Sequence, residues 1–149
     1  MSFVKSQDYI EKLRAFTPIY NDAETFFVFW LTTPEIVERL LPPPLKPAAD
    51  PVVLSFVATY PSSNYVSGGT GHDAGLTLAA EFDGEIVFYC ITNPVSVDNA
   101  MSSVREIAIV REGIGWPIKY ASIALARDDT SVEGWVERHG IRFFQASAT

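Results

Sequence analysis

The sequence predicts a single mainly β domain over residues 1–149, carrying short helices (α+β). Two runs rich in β-branched and aromatic residues, 25–31 (TFFVFWL) and 52–60 (VVLSFVATY), have the length of strands. Between two further β-prone segments stands Asp83-Gly84, a strong two-residue hairpin signal because both positions tolerate a positive φ. No internal repeat and no linker divides the chain.

Taken in order, Tyr9, Ile10, Leu13 and Phe16 recur at helical spacing and predict a short amphipathic helix ending before Pro18. Residues 25–31 are expected as a buried strand. Thr33 then reads as an N-cap with Pro34 at the first helical position. The helix would run to Leu41, with Ile36, Val37, Leu40 and Leu41 on one face and Pro42-Pro43-Pro44 stopping it. Residues 45–50 are expected as a loop, 52–60 as a strand, and 61–71 as a Ser/Gly-rich connection. Segments 76–82 and 85–92 flank the Asp83-Gly84 hairpin. For residues 102–110 helix (Val104, Ile107, Ala108) and strand (Ile107, Ile109) both fit, and helix is preferred. Strands are predicted at 121–126 and 132–138, joined at Asp128-Asp129. His139-Gly140 turns the chain into a last strand beginning at 141–144.

Apolar residues make up 48% of the chain and charged residues only 19%, enough apolar material for a real core. The net charge is −7 and Lys and Arg form no cluster, which argues against nucleic acid and anionic membrane surfaces as partners. Cys90 is the single cysteine, so no intrachain disulfide forms and a reducing cytoplasm fits. Its apolar neighbours, 86–91, make it a structural thiol. Lys5, Asp8, Glu11 and Lys12 sit where a signal peptide needs an apolar run. No stretch approaches the roughly 18 apolar residues of a membrane span. The expectation is a soluble cytoplasmic protein. His72 and His139 share no metal-ligand motif, and the run 68–71 lacks the Gly-Lys-Ser/Thr ending of a phosphate loop. Neither a metal nor another cofactor is predicted.

The stretch Arg111-Glu112-Gly113-Ile114-Gly115-Trp116-Pro117-Ile118-Lys119 bears the most chemistry. Lys119 is the only lysine after Lys46, and it follows a Gly-aromatic-Pro turn. An amine in apolar surroundings sheds its charge more readily and becomes a nucleophile. The plain structural alternative is a surface lysine at the start of a strand.

These pieces resemble, in their order, the acetoacetate decarboxylase family. The family's helix start and Pro-rich ending are similar to Leu31-Thr32-Thr33-Pro34 and Leu41-Pro42-Pro43-Pro44-Leu45. Its hairpin resembles Glu81-Phe82-Asp83-Gly84, an Asp-Asn element resembles Asp98-Asn99, and the strand pair after the active site resembles residues 136–141. The specific part is the signature Gly-Arg-Glu-x-x-Gly-aromatic-Pro-Lys-Lys, which this chain meets as Val110-Arg111-Glu112-Gly113-Ile114-Gly115-Trp116-Pro117-Ile118-Lys119. Arg105-Glu106 competes with Arg111-Glu112 for the Arg-Glu position. The family's nucleophile is the first lysine of the pair, where this chain has Ile118. Lys119 matches the second. The family's acidic side chain falls near Asp73, and the arginine expected before the first strand meets Ala23.

The resemblance implies an antiparallel β-barrel or cone and a lyase acting on a small β-keto acid or related ketone. Lys119, Asp73 and Glu112 would be its catalytic residues. Arg111, Trp116, Ile118 and His72 would bind substrate. Family members run on past the point where this chain stops, which implies either a homo-oligomer whose copies close the barrel or a truncated chain. In such a lyase a neutral amine condenses with the ketone, and the protonated imine takes up the electrons released by decarboxylation. Acetoacetate decarboxylase is itself the standard example of a lysine so activated. The amine's pKa must drop from about 10.4 toward roughly 7, about 4 to 5 kcal/mol of differential solvation. On a strand, however, Ile118 and Lys119 point to opposite sides. The second reading keeps the fold and loses the imine, giving a non-covalent isomerase, cyclase or hydratase, or a small-molecule binding module. For Asp73, with His72 beside it in an expected loop, proton handling and a solvated turn are both open. Arg111 and Glu112 read first as a structural ion pair, with substrate orientation as the alternative, and His139 reads as a surface turn residue.

Overall fold

The computed structural model describes residues 6–15, 17, 19–64, 70–97, 110–111 and 115–149. In chain order the elements are α1 (Gln7–Ala15), β1 (Tyr20–Asn21), β2 (Glu24–Leu31), α2 (Pro34–Leu40), β3 (Lys46–Pro47), β4 (Val52–Tyr60), β5 (Ser62–Ser63), β6 (Gly71–Phe82), β7 (Glu85–Val97), β8 (Ile118–Tyr120), β9 (Ser122–Arg127), β10 (Val132–Arg138) and β11 (Ile141–Ala148). The mainly β reading holds. Of the preferred helix at 102–110 only Val110 is described, in a helical turn with Arg111; the Arg105-Glu106 pair, Asp98-Asn99 and Glu112 lie outside the described residues.

A main sheet runs β2-β4-β6-β7-β8, with β3 added alongside β6. All its pairings are antiparallel except β7 with β8, which run parallel. The Asp83-Gly84 turn joins β6 to β7 with both residues at positive φ (51° and 83°), as the hairpin signal requires. A second sheet, β11-β10-β9, and a small β1-β5 pair complete the described fold. Among the described residues no sheet closes on itself, so the expected barrel is present as open sheets.

The register assigns each residue of the main sheet to one of two faces. Val57 lies beside Ala74, Val53 beside Leu78 and Pro94 beside Lys119. This face is covered. At one end Val37 and Leu41 of the α2 segment pack on Val53, Leu78 and Ala80. At the other end Ala121, Ile123 and Val136 pack on Val57 and Ala74, joining the two sheets. Gly134 sits close against Val57, since a Cβ there would stand 3.0 Å from its side chain.

On the opposite face lie Phe27, Phe29, Leu31, Phe56, Asp73, Gly75, Phe88, Asn93 and Ile118. It is largely open among the described residues: Phe29 is 62% and Leu31 70% exposed. Here the expectation of a buried strand at 25–31 is corrected. β2 is an edge strand, apolar on both faces, and only one face of the sheet is covered. Likewise Ile36 and Leu40 stay exposed on α2, whose buried side chain is Val37. A helix resting on a sheet buries a narrower stripe than its apolar content allows. Thr33 stands at the N-cap without a side-chain capping bond. The expected loop at 45–50 carries the short strand β3.

Candidate functional site

Asp73 was expected in a loop, but the structure puts it in β6, between Gly71 and Gly75. All three share the open face, since they alternate with His72 and Ala74. The glycines are there for space. A Cβ at Gly71 would fall 2.0 Å from the Tyr60 ring, and one at Gly75 would fall 2.2 Å from the Phe56 ring. Phe56 and Tyr60 therefore lie across the strand on either side of Asp73, with buried Ala58 as its partner on β4. Tyr20 packs against Tyr60, with ring centroids 4.6 Å apart.

This aromatic frame desolvates the carboxylate. Burial pushes the Asp73 pKa up to about 7, against hydrogen bonds from the Asn93 side chain and the Ala74 backbone that favour the charged form. Desolvation wins, and both protonation states are populated near neutral pH. A carboxyl so poised suits general acid–base work.

Asn93 organises the cluster. Its Nδ2 donates to Asp73 Oδ1 and, at 2.7 Å, to the Ala74 carbonyl. Trp116 Nε1 donates to Asn93 Oδ1. An indole N–H only donates, so it fixes which end of the amide it meets and leaves Nδ2 for the carboxyl. Cys90 shares this face, as the partner of Thr77 on β6. Its thiol pKa is raised by burial first and by the Asp73 charge second, which suits a structural thiol.

The parallel strand β8 is pinned at both ends, by the Asn93 N–H on the Pro117 carbonyl (3.2 Å) and the Ala121 N–H on the Val95 carbonyl (3.1 Å). Its register sets Ile118 beside Asn93 and Lys119 beside Pro94. Ile118, 4% exposed, thus belongs to the Asp73 face. Lys119 is exposed and lines a cleft of about 320 Å³ on the other side, with Arg138 and His139.

The remaining sequence-expected residues divide. Trp116 joins Asp73 through Asn93. His72, adjacent in sequence, is half-buried and directed to the covered face, beside Thr59 and Ser96, so alternation separates it from the Asp73 carboxyl. Arg111 is exposed in a helical turn, and its carbonyl accepts from the Gly115 N–H at 3.1 Å. Sequence reading missed Asn93, because Asn-Pro looks like a turn, and Arg138, because it borders the His139-Gly140 turn. It also missed Phe56 and Tyr60, whose signal was the pair of glycines two residues either side of Asp73.

The family model for acetoacetate decarboxylase (ADC) matches residues 9–149. No curated protein sequence matches the chain. Among solved structures, acetoacetate decarboxylase from Legionella pneumophila subsp. pneumophila str. Philadelphia 1 is similar with a TM-score of 0.70 and 21% identity, covering 87% of this chain and 48% of that one. The enduracididine biosynthesis enzyme MppR complexed with pyruvate gives 0.67 and 23%, covering 85% and 55%. An acetoacetate decarboxylase-like enzyme from Sphingomonas wittichii RW1 gives 0.65 and 20%, covering 84% and 54%. These likenesses carry the fold, and the chain spans about half the length of these structures. With the family model matched over nearly all of its residues, the chain belongs to the acetoacetate decarboxylase family.

Proposed function

We propose that this chain acts on a small keto acid by non-covalent proton transfer at Asp73, without an imine. The carrying observation is the β8 register, which sets Ile118 on the Asp73 face and Lys119 on the other. Asp73 as carboxylate takes a proton from the carbon next to the ketone. The C–H electrons form a carbon–carbon double bond, and the carbonyl electrons move onto oxygen. Asp73, now protonated, returns the proton to that carbon as the oxygen's electrons re-form the carbonyl. Asn93 and Trp116 hold the carboxyl in place. The keto-acid class is supported by the similar enzyme MppR, whose structure is described with pyruvate. Of the two routes open in the sequence, this geometry favours the one without a Schiff base.

Deuterium exchange at the pyruvate methyl, followed by NMR in heavy water, tests the reading. The wild-type chain should accelerate exchange, Asp73→Asn should lose it by about 10²-fold or more, and Lys119→Ala should keep it. Borohydride trapping of a keto-acid adduct on Lys119, with exchange lost in Lys119→Ala, would replace this route by the imine.

The proposal includes self-association. Phe27, Phe29 and Leu31 line the edge of the open face, and Ile86 and Phe88 continue it across the sheet. A monomer rarely leaves so continuous an apolar surface wet. A second copy seated there would close water out of the Asp73 site. Light scattering coupled to size exclusion should give a dimer or larger assembly, and a monodisperse monomer would remove this part.

A further inference from the structure

The cleft on the covered side of the main sheet, about 320 Å³, is unlike the rest of the molecule in charge. The chain has 18 acidic against 11 Lys and Arg residues, yet among the described residues no carboxylate lines this cleft, while Lys119, Arg138 and His139 do. Among the described residues none of the three forms an ion pair. Other cations on the same sheets are engaged: Arg127 meets Glu24 at 3.3 Å, and Arg142 meets Glu137 at 4.0 Å while lying over the Trp135 ring. Arg138 and Lys119 are left facing open space.

The walls are apolar. Ile141 and Phe143 of β11 line the cleft, the latter at the β-bulge between the Glu137–Arg142 and Val136–Phe144 pairs; both are more than half exposed, and Pro94 of β7 lines the cleft with them. The His139-Gly140 turn, with φ of 53° and 76°, sets Arg138 opposite Ile141. A cation thus stands at the rim of an aromatic and aliphatic wall.

We infer that this cleft binds a small organic monocarboxylate with an apolar body. The Arg138 guanidinium would take the carboxylate through paired N–H donors, with Lys119 adding a second charge-assisted bond. Phe143, Ile141 and Pro94 would cover the hydrocarbon. The volume suits a small molecule, and a few charged groups share the cleft with an apolar lining, as in small-molecule sites. This site lies across the sheet from Asp73, so it is separate from the proton-transfer reading and stands without it.

The test uses the full chain and two probes of equal size and opposite charge, phenylacetate and benzylamine, in a calorimetric or NMR titration. Phenylacetate should bind saturably and benzylamine should not. Arg138→Gln should weaken phenylacetate by about 10-fold or more, Lys119→Gln by a smaller factor, and Asp73→Asn should leave it unchanged. Because Arg138 and Lys119 are exposed, these variants keep their circular dichroism. Phe143→Ala should weaken phenylacetate but leave acetate unaffected. Equal binding of the two probes, no saturation, or unchanged affinity in Arg138→Gln would overturn the inference. Loss of phenylacetate binding in Asp73→Asn alone would move the carboxylate to the other face and overturn it too.

Discussion

The two faces of the main sheet handle charge in opposite ways. On the covered face the core is dry, and its cations stand at the margin in an open cleft. On the open face the side chains of β2 and of the Asp83-Gly84 hairpin end are exposed, yet around Asp73 the side chains of Ala58, Tyr60, Asn93 and Ile118 are buried and the carboxylate is desolvated with them. Burial in this protein is therefore local and does not follow the general covering of a face. Asp73 is desolvated by Phe56 and Tyr60, which reach it over glycines, while Lys119, one residue from buried Ile118, stays in water. Strand parity, and not proximity in sequence, decides which groups can cooperate.

The largest effect that would sharpen this contrast is on stability against pH. The folded-state pKa of Asp73, about 7, lies above its ordinary unfolded value, so the folded chain holds this proton more tightly. The contribution is fully present below about pH 4 and is lost as pH rises through 7. Three units correspond to up to about 4 kcal/mol, at roughly 1.4 kcal/mol per unit. Urea unfolding at pH 4 and pH 8 should show Asp73→Asn gaining most of that at pH 8 and little at pH 4. Equal gains at both pH values would mean the carboxyl is solvated, and the two faces would no longer differ.

Next in size is Gly75→Ala. The added methyl collides with the Phe56 ring, and shifting that ring should cost about 1–3 kcal/mol in denaturant titrations. It should also open Asp73 to water and bring its pKa down. A smaller effect, about 1 kcal/mol, is expected from Trp116→Phe, which frees Asn93 Oδ1 and loosens the amide that holds the carboxyl. Carboxyl carbon shifts of Asp73 across a pH series would register both changes.

Much of this was legible in the sequence. Strand β4 matched its predicted bounds because its core-facing positions alternate, and Asp83-Gly84 announced its hairpin. The opposite aims of Ile118 and Lys119 followed from alternation alone. Other features failed for identifiable reasons. Gly71 and Gly75 read as loop punctuation, whereas they are strand positions emptied to admit rings from β4. The apolar run of β2 read as buried, because composition does not distinguish a central strand from an edge awaiting a cover. Asn93 was hidden by the proline after it. That proline sits in β7, where it pairs with Lys119 in a short parallel contact.

The hydrogen-bonded line from the Trp116 indole through Asn93 to Asp73 has an optical consequence. An indole's emission responds to the charge and dipoles around it, and this one ends two bonds from a group that changes charge near neutrality. Trp116 is a built-in fluorophore for the proton inventory of the site. Its emission, isolated by replacing Trp30 and Trp135, would let the occupancy of Asp73 be followed in real time, in the unlabelled chain, while a ligand arrives and leaves.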